Sequence, residues 1–343
     1  MCIVLLTTAH PKYALIAVDN RDEYVLRPTS RPHWWTHQPS GEKILSSRDL
    51  HRRERGTWLG VSKRGRFAVL TNYRESSLDD PDPEHAIHGV KSRGVIPNAW
   101  LGAPAESSLD DFVSTMLEGR AVKSVGGFSL VCGDLRRKKT DQGVNPLAII
   151  SNRWDHVGQV PWICGERGKT YGLSNAVYTE PPTWEKITIG EKLMKEAIQE
   201  AADQDLSEEQ LTERLFKVLD HDTLPLEPKM TFQEHMDALR QSVFIRSFAD
   251  DQGWKDMADA ADEGRAKAAF NEIEDHSDPE EPKDASGYFM KGAYGTQRQT
   301  IILLDWEGNV TYIERALFDT HGNTIERGKG DEIIKFKIEE EDS

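Results

Sequence analysis

Short apolar runs separated by turn residues dominate the first half of the chain. The apolar run at residues 3–6 and the stretch after Pro11 predict two strands, over residues 2–8 and 13–19, joined by a hairpin-length connection. Three further strand pairs are predicted in the same way, over residues 57–62 and 66–72, 127–133 and 147–151, and 162–164 and 169–174. Short connections between neighbouring strands indicate antiparallel sheets.

The hydrophobic period changes after about residue 190. Apolar side chains recur every four positions, at residues 193, 197 and 201 and again at residues 211, 215 and 219, which is the spacing of amphipathic helices. Ser207 and Gln210 have the spacing of a capping box at the start of the second run. A helical insertion is therefore predicted over about residues 188–270.

Strands return towards the C-terminus, where residues 300–305 and 310–314 predict a closing hairpin. Strand pairs first, helices next and a final hairpin indicate the α+β class. We expect one domain over residues 1–325, which includes an acidic loop at residues 274–286. An acidic C-terminal tail is expected at residues 326–343.

The net charge of −15 argues against a nucleic-acid partner, because that affinity comes from clustered Lys and Arg. Three cysteines are an odd number in a long chain and do not indicate a disulfide framework. No apolar stretch reaches the length of about 18 residues that a transmembrane segment needs. No basic region precedes the first apolar run, as a signal peptide requires. We expect a cytoplasmic protein whose thiols stay reduced.

Cys2 is the leading candidate for chemistry, because it directly follows Met1. If Met1 is removed, Cys2 carries an α-amine with an unperturbed pKa of about 8 beside a thiol with a pKa of about 8.5. The amine can then serve as the base for the thiol, as in N-terminal-nucleophile hydrolases. The alternative is a buried strand thiol, since cysteine is among the most buried residue types.

An ordered set of short motifs follows Cys2 along the chain. The motifs include Asn-Arg-Asp-Glu at residues 20–23, Gly-Thr-Trp-Leu-Gly at 56–60, Leu-Thr-Asn-Tyr-Arg-Glu at 70–75, Gly-Leu-Ser-Asn-Ala at 172–176, and Tyr-Gly-Thr at 294–296 with Thr-Ile-Ile-Leu-Leu-Asp at 300–305. Over residues 2–186 and 290–318 this order resembles the NRDE family, the family of the transport and Golgi organisation protein 2 proteins. The resemblance implies a four-layer αββα sandwich of two mostly antiparallel sheets, of the N-terminal-nucleophile hydrolase type.

The resemblance also implies roles for individual residues. Cys2 would be the nucleophile and its own amine the base, and Arg21 and Asp22, or Glu23, would orient it. Asn72 and Asn175 would polarise the scissile carbonyl. The sequence leaves structural alternatives open: a salt-bridge cluster at a strand end for the charged residues, and backbone hydrogen bonding in turns for the asparagines.

Two further candidates, Asn20 and Arg298, come from the same motifs. The family commonly has an arginine directly after Tyr-Gly-Thr, whereas this chain has Gln297 followed by Arg298. A displacement by one residue in a strand moves a side chain to the opposite face. Arg298 is therefore a possible site residue whose role the displacement leaves open.

Two other patterns suggest ligands less strongly. His85 and His88 have a metal-like spacing, but no third and fourth ligands accompany them, so no metal site is predicted. Trp34 and Trp35 would either line a haem pocket or pack as an aromatic pair, and packing is favoured because aromatic side chains supply much of a core's buried area.

Three functions are compatible with these residues. The first is an amidohydrolase-like protein whose Cys2 attacks a linear amide or thioester. The second, implied by the resemblance, is a non-catalytic carrier or chaperone of a small hydrophobic or acyl ligand, with haem or acyl-CoA as the ligand and no cofactor expected. The third is a secretory-pathway scaffold that acts through acidic loops. The resemblance further implies roles in Golgi organisation, protein secretion, lipid (acyl-CoA) homeostasis and haem trafficking, with Golgi or mitochondrial association through other factors.

Overall fold

The computed structural model describes residues 2–72, 92–119, 125–136, 145–225, 230–269 and 291–339. The strands are β1 Ile3–Thr7, β2 Tyr13–Tyr24, β3 His33–Thr36, β4 Lys43–Ser46, β5 Leu59–Ser62, β6 Arg66–Asn72, β7 Phe128–Asp134, β8 Leu147–Ser151, β9 Trp162–Ile163, β10 Thr170–Leu173, β11 Tyr294–Asp305, β12 Asn309–Ala316 and β13 Asp331–Lys337. The α-helices are α1 Val95–Leu101, α2 Leu109–Glu118, α3 Glu185–Asp203, α4 Glu208–Leu219, α5 Phe232–Ala238 and α6 Asp251–Ala269. The acidic loop predicted at residues 274–286 lies outside the described residues, as do His85 and His88.

The strands form two antiparallel sheets. Sheet I has the order β10-β1-β2-β11-β12-β13, and sheet II has the order β3-β4-β5-β6-β7-β8-β9. Each sheet is built from strands that pair antiparallel with their neighbours. The sheets therefore confirm the α+β class expected from the paired apolar runs.

The two faces of each sheet bury different cores, because successive side chains of a strand point to opposite faces. On β1, Val4 and Leu6 join the core between the two sheets, while Ile3 and Leu5 face the helices α3 and α4. On the outer face of sheet II, α1 and α2 cover a third core that contains Trp100. The layers are helix, sheet, sheet and helix, so the predicted αββα sandwich is confirmed.

The helices between β10 and β11 follow the predicted period. Leu211, Leu215 and Leu219 are buried on one face of α4 against sheet I. The capping box at its start is complete, since Ser207 accepts from the Gln210 backbone and Gln210 reaches back to the Ser207 backbone. Within the described ranges, no helix combines the length and the apolar character needed to cross a membrane.

The predicted pairing between the runs at residues 162–164 and 169–174 was wrong. β9 pairs with β8 in sheet II, whereas β10 pairs with β1 in sheet I. The chain changes sheets between them, through Cys164 at a φ of 61°.

The predicted tail at residues 326–343 contains β13, which pairs with β12 at the edge of sheet I. Ile334 and Phe336 alternate with exposed residues and pack against the core between the sheets. The acidic composition of this segment obscured the alternation of a strand.

Candidate functional site

Cys2 lies at one end of the sandwich, where it lines a cavity of about 280 Å³. The register of β1 and β2, in which Ile3 opposes Asn20, places Cys2 beside Arg21. Sheet II contributes Trp58 and Asn72 to the opposite wall. The wall of this Cys2 cavity also contains Asp22, Glu23, Arg27, Asp49, Arg52, Gly56, Thr57, Leu70, Ser92, Arg93, Gly94 and Gly126.

The backbone of Cys2 is held by the residues that follow β10. The Cys2 backbone nitrogen donates to Asn175 Oδ1 at 2.8 Å, and Ser174 Oγ donates to the Cys2 carbonyl at 2.6 Å. Asn175 Nδ2 donates to the backbone carbonyl of Asn72 at the end of β6. One buried asparagine therefore ties Cys2 in sheet I to the end of a strand in sheet II.

Asn72 and Asn175 occupy different positions relative to the Cys2 cavity. Asn72 lines the cavity, whereas both ends of the Asn175 amide bind the backbone groups of other residues. Asn175 thus fixes Cys2, and of the two asparagines Asn72 is the one that lines the space a substrate would occupy.

Arg21 forms part of the cavity wall under several restraints. Its guanidinium stacks over the Trp58 ring, 4.3 Å from the centroid, and donates to Gln297 Oε1. The Glu23 carboxylate lies 3.8 Å from Arg21 Nη2 and 3.8 Å from Arg27 Nη1. The salt-bridge arrangement that the sequence left open is therefore present, and it lies in the wall of the Cys2 cavity.

Arg298 lies beside a β-bulge, because β11 is not regular. Thr296 opposes Asp22 and Arg298 opposes Arg21, so Gln297 is an extra residue in a β-bulge. Paired residues of an antiparallel ladder point to the same face, which places Arg298 on the face of Arg21. Its side chain runs between the sheets rather than into the Cys2 cavity. There Arg298 Nη1 donates to the Phe318 carbonyl at 3.2 Å, and Arg298 Nε lies 3.9 Å from a Glu314 oxygen.

Asn20 does not join the cluster around Cys2. Its Nδ2 donates to the carbonyls of Leu219 and Val243, at 2.8 Å and 2.9 Å, on the helix-facing side of sheet I. Asn20 therefore anchors the helical segment to β2 and has no direct contact with the Cys2 cavity.

Burial dominates the electrostatics of the thiols. Burial raises the pKa of Cys2 to about 11, and the nearby carboxyl groups of Asp19 and Asp22 also raise it, while the N-terminal amine lowers it. The pKa values of the buried thiols of Cys132 and Cys164 are raised as well, by burial. Of these thiols, only that of Cys2 lines the Cys2 cavity.

Asp22 links the Cys2 cavity to a residue that the sequence analysis missed. Asp22 Oδ1 accepts from Thr296 Oγ1 at 2.7 Å, and Asp22 Oδ2 lies 3.9 Å from Nζ of the buried Lys186. Burial raises the pKa of Asp22, and Lys186 opposes that shift. The helical insertion was predicted from about residue 188, whereas α3 begins at Glu185 and so places Lys186 in its first turn.

The described residues do not contain a group of three or more His, Cys, Asp or Glu side chains arranged to hold a metal ion. Trp34 and Trp35 are packed, as favoured from the sequence, but each packs against a different core. Trp34 meets Phe336 edge to face at 4.9 Å, and Trp35 Nε1 donates to Ser46 Oγ at 2.9 Å. Both tryptophans lie outside the wall of the Cys2 cavity.

Comparison with known proteins gives a family match over most of the chain. A family model described as Transport and Golgi organisation 2 matches residues 1–319. The human Transport and Golgi organization protein 2 homolog is 29% identical over 312 residues, which cover 90% of this chain and 88% of the relative. The mouse Transport and Golgi organization 2 homolog is 28% identical over 309 residues, which cover 90% of this chain and 88% of the relative.

A solved structure, the Caenorhabditis elegans N-acylethanolamine-hydrolyzing acid amidase ortholog, is 12% identical with a TM-score of 0.38, over 70% of this chain and 97% of that chain. At this TM-score and identity the likeness supports no conclusion about function.

Proposed function

This chain belongs to the Transport and Golgi organisation 2 family, and we propose that it is an N-terminal-nucleophile hydrolase in which Cys2 cleaves a small amide or thioester. The observation that carries the proposal is the hydrogen bond from the Cys2 backbone nitrogen to Asn175 Oδ1, in a residue whose thiol lines a cavity. Cleavage of the Met1–Cys2 peptide bond would turn that nitrogen into an α-amine that Asn175 already holds next to the thiol.

The reaction needs one base, and the α-amine supplies it. As Cys2 Sγ attacks the substrate carbonyl carbon, the amine takes the thiol proton and a tetrahedral oxyanion forms. Asn72, in the cavity wall, is the proposed donor to that oxyanion, and one well-aimed donor contributes about 3–4 kcal/mol. The C–N or C–S bond then breaks, and the leaving group takes the proton from the amine. Water hydrolyses the resulting Cys2 thioester, with the same amine accepting a proton from water, and the thiol is restored.

The charges of the Cys2 cavity support a small substrate with an anionic group. The cavity wall contains more basic than acidic side chains, namely Arg21, Arg27, Arg52 and Arg93 against Asp22, Glu23 and Asp49. Arg27 is paired with Asp49 at 2.6 Å. Trp58 and Leu70 supply apolar surface, and about 280 Å³ lies just below the usual range of small-molecule pockets. A polar acyl compound fits these walls better than a large apolar ligand such as haem.

Intact-mass analysis before and after a thiol-reactive acyl probe tests the proposal on the full chain. We expect purified protein without Met1, and one acyl adduct that peptide mapping places on Cys2. The adduct should be absent from Cys2→Ala and present in Cys132→Ala, which removes a thiol buried in the core under α1 and α2. Retained Met1 together with an unmodified Cys2 would overturn the proposal.

The proposed cellular roles in Golgi organisation and lipid homeostasis give a second test. If those roles depend on hydrolysis, cells that lack the protein should be rescued by Cys132→Ala and not by Cys2→Ala. Equal rescue by both variants would instead favour the carrier function, in which the Cys2 cavity binds an acyl ligand without cleaving it.

A further inference from the structure

Lys186 breaks two rules that lysines ordinarily follow. Its side chain is 0% exposed, although lysine is almost never fully buried unless it is paired. It also lies in the first turn of α3, where the helix dipole disfavours a positive charge. Natural proteins place residues against such local preferences mostly at functional sites.

The contacts of Lys186 lead to Cys2 through one residue. Nζ lies 3.9 Å from Asp22 Oδ2 and has no hydrogen-bond partner among the described residues. A separation of 3.9 Å is too long for a hydrogen bond, so the ammonium is held to Asp22 by charge. Asp22 lines the Cys2 cavity, and its backbone N–H donates to the Cys2 sulfur.

Several charged groups lie around Lys186 and Asp22. Burial lowers the pKa of Lys186, while Asp22, Cys2 and Asp19 favour its charged form. Asp19 and Asp22 in turn raise the pKa of Cys2. Arg21, from the same strand, favours the charged forms of both aspartates. Lys186 is therefore coupled by charge to Asp22, and Asp22 to the Cys2 sulfur, beside the N-terminal amine, which lowers the pKa values of both Cys2 and Asp22.

We propose that Lys186 is a positioning residue for Cys2, whose ammonium group offsets the charge of Asp22 and favours the Cys2 thiolate. Lys186 is not part of the wall of the Cys2 cavity, so it acts through Cys2 and does not contact the substrate. The inference rests on the part of the proposed function that makes Cys2 a reactive thiol. It does not require cleavage after Met1, because Lys186 supplies a positive charge from within the fold.

The test is the rate constant for alkylation of Cys2 by iodoacetamide from about pH 6 to about pH 10 in the full chain. This range lies below the Cys2 pKa of about 11, so a pKa raised by about one unit in Lys186→Met should appear as a lower rate constant across the range. Each unit lowers the rate near neutral pH by about 3- to 4-fold, because the tenfold loss of thiolate is partly offset by its greater nucleophilicity. Lys192→Met is the matched control, since Lys192 lies on the same helix with a side chain that is 74% exposed. Its profile should coincide with that of the unaltered protein.

A Lys186→Met profile that coincides with the unaltered one would overturn the inference. If Lys186→Met fails to fold, Asp22→Asn is compared with the double variant Lys186→Met/Asp22→Asn, because these two proteins differ only in the charge of Lys186. The Cys2 profile of the double variant should lie at higher pH than that of Asp22→Asn, and coinciding profiles contradict the inference. The double variant Lys186→Met/Asp22→Asn removes both charges of the pair and should fold, because no buried charge is left uncompensated.

These outcomes are separable from those of the proposed function. A chain that retains Met1 but shows the shifted Lys186→Met profile would overturn the hydrolase and keep the role of Lys186. A chain that loses Met1 and is acylated at Cys2, with an unchanged Lys186→Met profile, would keep the hydrolase and overturn the role of Lys186.

Discussion

The guanidinium of Arg21 donates a hydrogen bond to Gln297 Oε1 across the β-bulge of β11. Gln297 Nε2 donates in turn to the carbonyls of Val25 and Arg27, at 2.9 Å and 3.1 Å. A neutral side chain that both accepts and donates therefore joins Arg21 to the backbone beyond β2. An arginine at this position has no acceptor to offer Arg21 and would repel it, so Gln297 favours the placement of Arg21 over Trp58.

Gln297→Leu should destabilise the fold by about 1–3 kcal/mol, because it leaves two carbonyls and a guanidinium without their partner. Denaturant unfolding at neutral pH measures the change. The control is Gln233→Leu, at an exposed position of α5, which should change the stability by less than about 0.5 kcal/mol. Equal unfolding midpoints for the two variants would contradict the role assigned to Gln297.

Asn175→Leu should lower the rate of Cys2 acylation by about tenfold or more. The substitution removes the acceptor for the Cys2 nitrogen and the tie to Asn72, and small displacements of reacting groups cost up to about 100-fold. Asn152→Leu is the matched control, because Asn152 is a buried asparagine whose amide binds the backbone around Phe128. A comparable loss of Cys2 acylation in a folded Asn152→Leu protein would show that the Asn175 effect is not specific.

Gly56→Ala should reshape the Cys2 cavity. A Cβ atom at Gly56 would lie 2.5 Å from the backbone carbon of Gly94, and backbone cannot rotate out of the way as a flexible side chain can. The added atom should destabilise the protein by about 1–3 kcal/mol and reduce turnover. Gly126→Ala also alters the cavity wall, but its new Cβ would meet only the end of the Arg93 side chain at 3.4 Å. Stability and turnover that are equal in the two variants would contradict this account of the Gly56–Gly94 contact.

Features that depend on local periodicity could be predicted from the sequence. The hairpin of β1 and β2 follows from apolar runs around Pro11, and the buried face of α4 follows from Leu211, Leu215 and Leu219. Each of these patterns lies within one short continuous stretch, so that stretch contains all the information. The family motifs added the layer architecture, which no single stretch determines.

Features that depend on distant partners could not be predicted. The bulge at Gln297 exists because β11 pairs with β2, and a bulge changes which face a side chain reaches. Lys186 is 164 positions from Asp22 along the chain (186 − 22) and comes close to it only when α3 packs on sheet I. β9 and β10 were predicted to pair for the same reason, because the length of an apolar run does not show which distant strand it pairs with.

Asp19 is a buried acid that the proposed reaction does not use. It opposes Val4 on β1 and Thr300 on β11, and it is 1% exposed. Its carboxyl oxygens have no hydrogen-bond partner among the described residues. Burial raises its pKa well above the ordinary 3.8, Asp22 adds to the increase, and Arg21 opposes it. The folded protein therefore holds a proton on Asp19 at pH values where the unfolded chain has lost it.

Asp19→Asn should therefore stabilise the fold increasingly as the pH rises. Because the pKa is raised on folding, the unaltered protein loses stability from the ordinary value of 3.8 upward to the folded-state pKa, by about 1.4 kcal/mol per pH unit. Urea unfolding at about pH 4, 6 and 8 should show the two proteins closest at the lowest pH and furthest apart at the highest. Asp203→Asn, at an exposed position of α3, should show no such trend. A difference that is constant or shrinks with pH would mean that Asp19 is ionised in the folded protein.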